Sequence, residues 1–569
     1  MGGMSYIETA NQYIADVLSG TIPACRFVKL ACQRQHNDLE ESKKAAYPYR
    51  FDEAKAVKVC KFIENLPHTK GAWAARGELL VLEPWQIFGL TTVFGWVNKK
   101  TKMRRFREAY WEVPRKNGKS AKTAGAGLYM FCSDGEFGAE VYSGASSEKQ
   151  AWEVFRPARL MVEREDEMRE HFGIQVNAKT LCIQADMSRF EPVIGKPGDG
   201  ASPSCALIDE YHEHDSDVLY STMVTGMGAR SQPLAWIITT AGVNLGGPCY
   251  TKRSDIIKIL EGSYDAPDTF GIIYTVDPEM DWTTPEALQM ANPNYGISVS
   301  EEFLLAEQRK AIQSAHLQNN FKTKHLNIWC SSSAAYFNMQ DLEKCADPSL
   351  NIEDFRDEQA MTALDVGSKI DISGLVALFR RDIKGKTHYY AFEKAYCPEE
   401  TAWDPKNKQY QGWVNSGLLT ATNGNIIDYE QIEQDNLAWA GLFEIREETF
   451  DPWNAAQFAL RMANEGLAMV EVPQNVRSHS APMKELDALI RARRFHFNGS
   501  PLLKWMFSNV VAKVDANDNV FPRKERNENK IDLVVAIIMA LGRWIVQEGD
   551  GGSVYDERCS SGGDIFRSI

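Results

Sequence analysis

The chain has 569 residues, of which 44% are hydrophobic and 25% are charged, and its formal net charge is −14. One hydrophobic core does not serve a chain of this length, so we expect two large domains, and the apolar and charged fractions are typical of a globular protein. The acidic balance argues against a protein that coats nucleic acid in general.

The cysteines and the apolar runs indicate the compartment. The eleven Cys are scattered, odd in number and without a C-x-x-C pair, so we expect reduced, mostly buried thiols in a cytosolic protein. The longest apolar run, Leu533 to Leu541, is far shorter than the roughly 20 residues that a membrane span needs. It predicts a buried helix, and we expect no membrane partner.

The pattern of apolar residues divides the first half of the chain into three regions. Residues 1–70 are predicted to be helical, since apolar side chains recur there at helical spacing. Residues 71–250 alternate strands with helices, which predicts a parallel α/β sheet, and residues 251–335 form a helical sub-domain and linker. The predicted strands are Ala109–Val113, Ala139–Ser143, Thr180–Gln184, Ser204–Asp209 and Leu234–Thr239.

The loop after the first of these strands has the layout of a phosphate-binding P-loop. It runs Val-Pro-Arg-Lys-Asn-Gly-Lys-Ser from Val113 to Ser120 and precedes a helical run of small residues, although Val113 stands where the usual pattern has Gly. Its backbone N–H groups and the helix N-terminus would cradle the phosphates of ATP, Lys119 would reach the β- and γ-phosphates, and Ser120 would hold Mg²⁺. The predicted nucleotide-binding residues of the loop are Arg115, Lys116, Asn117, Gly118, Lys119 and Ser120.

Two later strands complete an ATPase pattern. The predicted strand Ser204–Asp209 closes with the run Ala-Leu-Ile-Asp-Glu at 206–210, and an apolar strand that ends in Asp-Glu is a Walker B pattern. Asp209 is predicted to hold Mg²⁺, and Glu210 to orient and deprotonate the attacking water. The next strand ends in Thr239 and Thr240, and in motor ATPases such a strand links hydrolysis to movement; we count Thr240 among the nucleotide-binding residues.

Other candidate residues carry weaker signals. Gln86 precedes the P-loop and could recognise the adenine edge, while Arg156 is a candidate arginine finger with Arg115 as its rival. The run His212–His214 suggests zinc. Structural zinc sites need four ligands and catalytic sites three, and no partner cluster is evident, so we expect no zinc there.

A second β-rich region is predicted at 336–548, after a linker at Ser331–Ala335. A flexible tail is predicted at 549–569, where Gly and Ser are frequent. The predicted elements of the second region are the strands Thr362–Asp365, Ser373–Phe379, His388–Phe392 and Thr449–Asp451 and the helix Ile531–Val546.

Three aspartates of this region fit a metal-dependent nuclease. Asp365 and Asp451 end strands, and Asp532 begins the last helix. A strand ending in Asp and followed by an antiparallel hairpin resembles the opening of an RNase H-like nuclease, in which such positions converge on one sheet edge. Clustered carboxylates can bind two divalent ions about 3.5–4 Å apart, one activating water and the other stabilising the leaving 3′-oxygen. We expect Mg²⁺, or Mn²⁺, with Asp371 and Asp428 as reserve ligands.

Taken together, these motifs resemble the large subunit of tailed-bacteriophage terminases, a DNA-packaging ATPase and nuclease. The resemblance runs from about Gln86 to Gly542, and it also covers Ala291–Gly296 and Phe321–Trp329. It implies an α/β fold with an N-terminal P-loop ATPase domain on a parallel sheet and a C-terminal RNase H-like nuclease domain on a mixed sheet.

The resemblance also implies a biological setting. The ATPase would move double-stranded DNA into a procapsid, and the nuclease would cut concatemeric DNA. A small terminase subunit would select the DNA, and the portal protein would dock a ring of large subunits, commonly five. The protein would act in the host cytoplasm, transiently at the portal, and would be absent from the mature virion. The alternatives are a helicase-like DNA-translocating ATPase whose second domain is a non-catalytic binding module, and a non-enzymatic scaffold.

Overall fold

The computed structural model describes residues 4–194, 200–332, 335–367, 371–404, 407–514, 518–526 and 528–550. The chain divides into two compact units. The first comprises Met1–Gln313 with Asn320–Cys330, and the second comprises Ser314–Asn319 with Ser331–Ile569. Each unit buries apolar cores of its own, so each is described by itself.

The first unit begins with helices that pack into the core of its large sheet. Helix α1 starts at a capping box between Ser5 and Glu8, and Val17, Val28 and Val59 of the first three helices are fully buried with the sheet residues. The predicted helical region 1–70 is therefore part of the same core. Its elements, and those up to the P-loop strand, are α1 Tyr6–Ser19, α2 Arg26–Glu41, β1 Tyr49–Phe51, α3 Glu53–Glu64, α4 Gly71–Ala75, α5 Pro84–Gly95 and β2 Trp96–Asn98.

The large sheet has the strand order β10-β3-β9-β8-β4-β7-β6-β5. Neighbouring strands are parallel from β10 to β7, and helices cover the sheet, which is the arrangement of a parallel α/β domain. Its elements are β3 Glu108–Glu112, α6 Lys119–Cys132, β4 Glu140–Ala145, α7 Glu148–Arg164, α8 Asp166–Phe172, β5 Ile174–Val176, β6 Leu181–Ile183, β7 Ser188–Ile194, β8 Cys205–Ile208, α9 Val218–Gly226, β9 Leu234–Thr239, α10 Pro248–Leu260 and β10 Thr269–Ile273.

Two expectations for this sheet need correction. The strand predicted at Thr180–Gln184 is β6, which lies antiparallel beside β7 near the sheet edge. A short hairpin joins the two, and only a long crossover would have made them parallel. The sheet also extends beyond the predicted boundary at 250, because β10 pairs in parallel with β3 and buries Phe270 and Ile272.

The remainder of the first unit carries a small separate core. Leu288, Leu304 and Phe321 pack there with other apolar residues. The helices of this region are α11 Pro285–Ala291, α12 Glu301–Gln313 and the part of α13 Ala315–His325 that begins at Asn320.

The second unit is built on a mixed sheet with the strand order β14-β13-β12-β11-β15-β16, with β17 beside β13. Strands β11, β12 and β13 are antiparallel neighbours, whereas β15 lies parallel to β11. Its elements are α14 Met339–Glu343, β11 Gln359–Val366, β12 Ser373–Ile383, β13 Lys386–Pro398, α15 Glu399–Trp403, α16 Lys408–Asn415, β14 Thr420–Thr422, α17 Tyr429–Ala440, β15 Glu444–Phe450, α18 Pro452–Asn464, β16 Met469–Glu471, α19 Val476–Arg491, β17 Phe495–Phe497, α20 Pro501–Asn509, β18 Val510–Val514, β19 Val520–Lys524 and α21 Asp532–Asp550.

Helix α21 is the apolar segment seen in the sequence. Leu533, Ile537 and Leu541 are buried against the sheet. The helix continues to Asp550, so the first two residues of the predicted tail 549–569 are helical and the rest lie outside the described residues. Within the described ranges, no helix is both long and apolar enough to cross a bilayer.

Candidate functional sites

Three loops of the first unit meet at one edge of its sheet. Strand β9 lies between β3 and β8 and is parallel to both, so the carboxyl ends of the three strands point to the same edge. The P-loop follows β3, Asp209 and Glu210 follow β8, and β9 ends at Thr239, with Thr240 directly after it. Ligands of open α/β sheets bind at such an edge.

The P-loop turns through two left-handed residues. Lys116 has φ 69° and Gly118 has φ 73°. Gly118 is the N-cap of α6 and makes no side-chain cap, so the first N–H groups of the helix are open to an anion. A Cβ on Gly118 would lie 3.2 Å from Gln86 Nε2, which places the side chain of Gln86 against the loop.

Asn117 supports the loop from within. Its buried side chain donates to Asn292 Oδ1 over 2.9 Å and accepts from Asn294 N over 2.9 Å. Ser298 Oγ donates to Lys116 O over 2.6 Å. The segment that begins near Asn292 therefore holds the P-loop in shape, and the side chain of Asn117 is engaged in this support.

Lys119 lies at the centre of the site. Its Nζ donates to Val113 O over 2.5 Å, and only 8% of the residue is exposed. Burial lowers the pKa of Lys119 to about 8, although the carboxylates of Glu210 and Asp209 act in the opposite direction. A phosphate is a stronger acceptor for this ammonium group than a peptide carbonyl.

The acidic pair lies opposite the lysine. Burial and the neighbouring Glu210 raise the pKa of Asp209 to about 7, while Lys119 lowers it. Glu210 has φ 45°, and its backbone N–H donates to Asp209 Oδ1 over 2.9 Å. A buried carboxylate beside a lysine, with the Ser120 hydroxyl at the start of α6, is a donor set that fits Mg²⁺ with nucleotide phosphates.

The remaining nucleotide-site candidates of this unit are Thr240, Arg115 and Arg156, and each has different neighbours. Thr240 Oγ1 lies 3.4 Å from His212 Nδ1, and the backbone N–H of Arg115 donates to Lys324 O over 3.0 Å. The guanidinium of Arg156 lies on an exposed part of α7, 5.9 Å from the Trp152 ring.

The zinc alternative concerns His212 and His214, which are both buried. Among the described residues, no group of three or more His, Cys, Asp or Glu is arranged to hold a metal ion. His212 instead contacts Glu210, Thr239 and Lys324. The sequence did not indicate the contacts with Thr239 and Lys324, because these residues lie far from His212 along the chain.

The second unit brings the predicted acidic residues to one edge of its own sheet. Leu364 of β11 is paired in parallel with Phe450 of β15, so Asp365 and Asp451 follow paired positions. Both carboxylates are buried, with residue exposures of 9% and 7%. Asp451 also caps α18 by accepting from Trp453 N.

Asp532 reaches the same edge from α21. Gly374 of β12 is the register partner of Asp365, and a Cβ on Gly374 would lie 3.0 Å from the backbone N of Leu533. A Cβ on Gly367 would lie 3.3 Å from Asp532 Oδ1. Glycine on β12 therefore lets the first turn of α21 approach the end of β11.

The charges at this edge repel one another. Burial, followed by the carboxylates of Asp532 and Asp451, raises the pKa of Asp365 well above its usual range. The pKa of Asp532 is also raised, by burial and by Asp371, and its Oδ2 has no hydrogen-bond partner among the described residues. An unpartnered oxygen beside further carboxylates fits a divalent cation, which would remove the repulsion.

The reserve ligands differ in position. Asp371 lies beside this edge, but it is paired with Lys530 over 2.6 Å and lies 3.7 Å from Lys524. Asp428 caps α17 by accepting from Glu430 N. The described carboxylates do not form a closed three-ligand cluster in this arrangement.

Comparisons with known proteins match two family models one after the other, and the second match begins inside the first unit. Residues 84–258 match the family "Terminase large subunit, ATPase domain", and residues 264–548, half of the chain, match "Terminase large subunit, endonuclease domain". Protein YmfN of Escherichia coli (strain K12) is 46% identical over 395 residues, covering 67% of this chain and 87% of its own length.

More distant relatives carry explicit names. The "Terminase, large subunit" of Enterobacteria phage HK97 is 25% identical over 459 residues, covering 79% of this chain and 89% of its own length. The crystal structure of the HK97 bacteriophage large terminase aligns with a TM-score of 0.43 and 24% identity, covering 86% of this chain and 99% of that one.

Proposed function

The chain belongs to the terminase large-subunit family, and on that premise we propose that it hydrolyses ATP to move double-stranded DNA into a procapsid and cuts the DNA with a two-metal nuclease. The proposal places the two activities in separate units. The sheet of the first unit carries the nucleotide site, and the sheet of the second carries the acidic site.

One observation supports the ATPase most directly. The P-loop after β3 and the acidic pair after β8 flank β9 at a single sheet edge, and the carboxylate of Glu210 is close enough to Lys119 to act on its pKa. A phosphate chain laid along the P-loop would meet the helix N-terminus and Lys119 at one end and the acidic pair at the other.

In this proposal the first unit divides the work of hydrolysis among a few groups. Lys119 would exchange its carbonyl acceptors for phosphate oxygens, and Asp209 and Ser120 would hold Mg²⁺, which would supply positive charge beside the phosphates. Glu210 accepts the proton of the attacking water. The proposal assigns Gln86 to the adenine base through Nε2, since its Oε1 accepts from Glu83 N over 3.0 Å. The arginine finger is Arg115 or Arg156, acting in its own subunit or on a neighbour.

In the second unit, Asp365, Asp451 and Asp532 would hold the nuclease metal. Bound Mg²⁺ or Mn²⁺ would activate water and stabilise the leaving oxygen. The three side chains supply carboxylate oxygens from two strand ends and one helix start, and Lys530 and Lys524 hold Asp371 beside them. The proposed partners are double-stranded DNA, a portal protein, a small terminase subunit and further copies in a ring, with the host cytoplasm as the place of action.

The decisive experiment measures both activities in two variants of the full chain. In Lys119→Ala the phosphates lose their main cation, so ATP hydrolysis should fall by about 10³-fold or more while DNA cutting in Mg²⁺ continues. In Asp365→Ala the metal loses a shared ligand, so cutting should be lost while ATP hydrolysis continues.

Each alternative predicts a different result. Cutting that survives Asp365→Ala would leave the second unit as a binding module of a helicase-like ATPase. Parallel loss of both activities in both variants would point to one shared site. The wild-type chain should also be tested with DNA and at concentrations that favour rings. If it then shows no ATP turnover, the non-enzymatic scaffold is the remaining alternative.

A further inference from the structure

His212 is the buried side chain behind the acidic pair. Only 2% of its side chain is exposed. Its Nδ1 lies 3.1 Å from Thr239 Oγ1 and 3.2 Å from Glu210 Oε2. Its Nε2 lies 3.0 Å from Glu213 Oε1 and 3.2 Å from Lys324 Nζ. One imidazole ring thus contacts the acidic pair, the end of β9 and the end of α13.

The surrounding groups determine the proton on Nδ1. Thr239 Oγ1 donates its own proton to Thr240 O over 2.9 Å, so this oxygen is an acceptor towards His212. On this assignment of the hydroxyl proton, Nδ1 carries the proton of the ring and faces Thr239 Oγ1 and Glu210 Oε2 together. At Nε2 the neutral ring accepts from the ammonium group of Lys324, whereas a charged ring would donate to Glu213.

The carboxylate of Glu210, the proposed base, needs a neighbour that fixes its orientation. Its φ of 45° lies in the left-handed region, which is strained for a residue with a Cβ. Its Oε2 is buried and makes no hydrogen bond within the described part of the chain. Such an oxygen is free to accept from a water molecule, which is the task of a base in hydrolysis. His212 Nδ1 approaches this oxygen to 3.2 Å without forming a hydrogen bond in this structure, and it is the nearby ring nitrogen whose contact can fix the direction of the carboxylate.

Lys324 connects this arrangement to the nucleotide loop. The carbonyl of Lys324 accepts from Arg115 N in the P-loop over 3.0 Å, while its side chain contacts His212. Burial and the charge of Arg115 lower the pKa of Lys324. A displacement of the P-loop would therefore be transmitted to the imidazole through one residue.

We propose that His212 is a positioning residue for ATP hydrolysis: it holds Glu210 towards the attacking water and ties its orientation to Thr239 and, through Lys324, to the P-loop. The inference rests on the proposed ATPase function. It gives the His-Glu-His run a role other than zinc binding, and it makes the orientation of the base depend on the end of β9 and the end of α13, which both contact this ring.

The test compares His212→Ala and His212→Gln with the wild type, all as the full chain. We expect kcat for ATP hydrolysis to fall about 10²-fold in His212→Ala, the usual scale for loss of effective general-base catalysis. The dissociation constant for ATPγS should change less than about 2-fold, because Lys119 and the P-loop are intact. His212→Gln, which keeps an N–H donor, should lie between, and added imidazole should partly restore His212→Ala.

A matched pair on α13 tests the connection. Lys324→Ala should lower kcat, whereas Lys322→Ala should not, since Lys322 lies over the Trp282 ring, 4.8 Å from its centroid. Wild-type kcat in His212→Ala would overturn the inference. So would a fall in kcat matched by an equal loss of ATPγS binding without imidazole rescue, because that pattern indicates a structural role.

The same measurements distinguish a failure of this inference from a failure of the proposed ATPase function. If Lys119→Ala hydrolyses ATP like the wild type, the ATPase site itself is wrongly placed, and both proposals are overturned. If Lys119→Ala is inactive and His212→Ala is fully active, the ATPase site stands and only the role of His212 is overturned.

Discussion

Lys119 and Lys122 lie one turn apart on α6. Burial lowers the pKa of both side chains, but their surroundings differ. Lys119 faces backbone carbonyls and the acidic pair, so its charge has partners. Lys122 Nζ lies 3.2 Å from the centroid of the Trp111 ring and has no hydrogen-bond partner among the described residues. Burial, with a smaller contribution from Lys119, lowers the pKa of Lys122 well below 10.5.

Replacing Lys122 by Met should stabilise the protein at pH 7. The folded pKa of Lys122 is below its unfolded value, so the unfolded chain binds an extra proton and the folded state gains stability as pH rises towards 10.5. The advantage of Lys122→Met should shrink by about 1.4 kcal/mol per pH unit inside that window. Chemical denaturation at pH 7, 8 and 9 measures it, with exposed Lys149→Met as the control. A constant difference across pH would show that Lys122 is charged in the fold.

At the scale of elements, the acidic edge of the second unit depends on how closely one helix approaches one strand. Gly374 of β12 lies opposite Asp365, and the first turn of α21 packs directly over it. A Cβ there would lie 2.8 Å from Leu533 Cδ2 and 3.1 Å from Leu533 Cα. The position of Asp532 therefore depends on the absence of a side chain at Gly374 on the neighbouring strand.

Gly374→Ala should impair the nuclease by moving α21. A displacement of this kind can cost up to about 10²-fold in rate, and the overpacking should cost about 1–3 kcal/mol of stability. DNA cutting in Mg²⁺ should fall while ATP hydrolysis is unchanged. Gly412→Ala is the matched control in the same unit, since nothing lies within 4 Å of its Cβ position. Unchanged DNA cutting in Gly374→Ala would show that α21 accommodates the added methyl group without a displacement of Asp532.

For the whole molecule, the two units have separate cores and separate candidate sites. The first core surrounds the large parallel sheet, and the second unit packs apolar layers on both faces of its mixed sheet. The match to the ATPase domain covers the first sheet except β10, and the match to the endonuclease domain covers the whole second sheet. Ligands of one site should therefore stabilise one core more than the other.

Calorimetry of the full chain should show this selectivity. ATPγS with Mg²⁺ at 100 times its dissociation constant should stabilise the first unit by about 2.7 kcal/mol and shift one transition upwards. Lys119→Ala should abolish the shift, whereas Asp365→Ala should retain it. A single transition that the nucleotide shifts as a whole would instead show that the two units unfold together.

The sequence predicted the parts of the sites that are continuous along the chain. The P-loop, the pair Asp209 and Glu210, and Asp365 at the end of a strand are each marked within a few residues by local patterns. The fold class and the family were confirmed, because strand ends and motif order follow from those patterns. The roles of the individual residues remain predictions.

Contacts between distant segments came only from the tertiary structure. The support of Asn117 by Asn292, the pairing of β10 with β3 and the contacts of His212 join segments far apart in the chain. No local pattern encodes them, since each depends on strand order and register. The sequence by itself determined which chemical groups the protein has and where along the chain they stand. The tertiary structure decided which of them meet, because side chains converge only when strands are paired and helices packed.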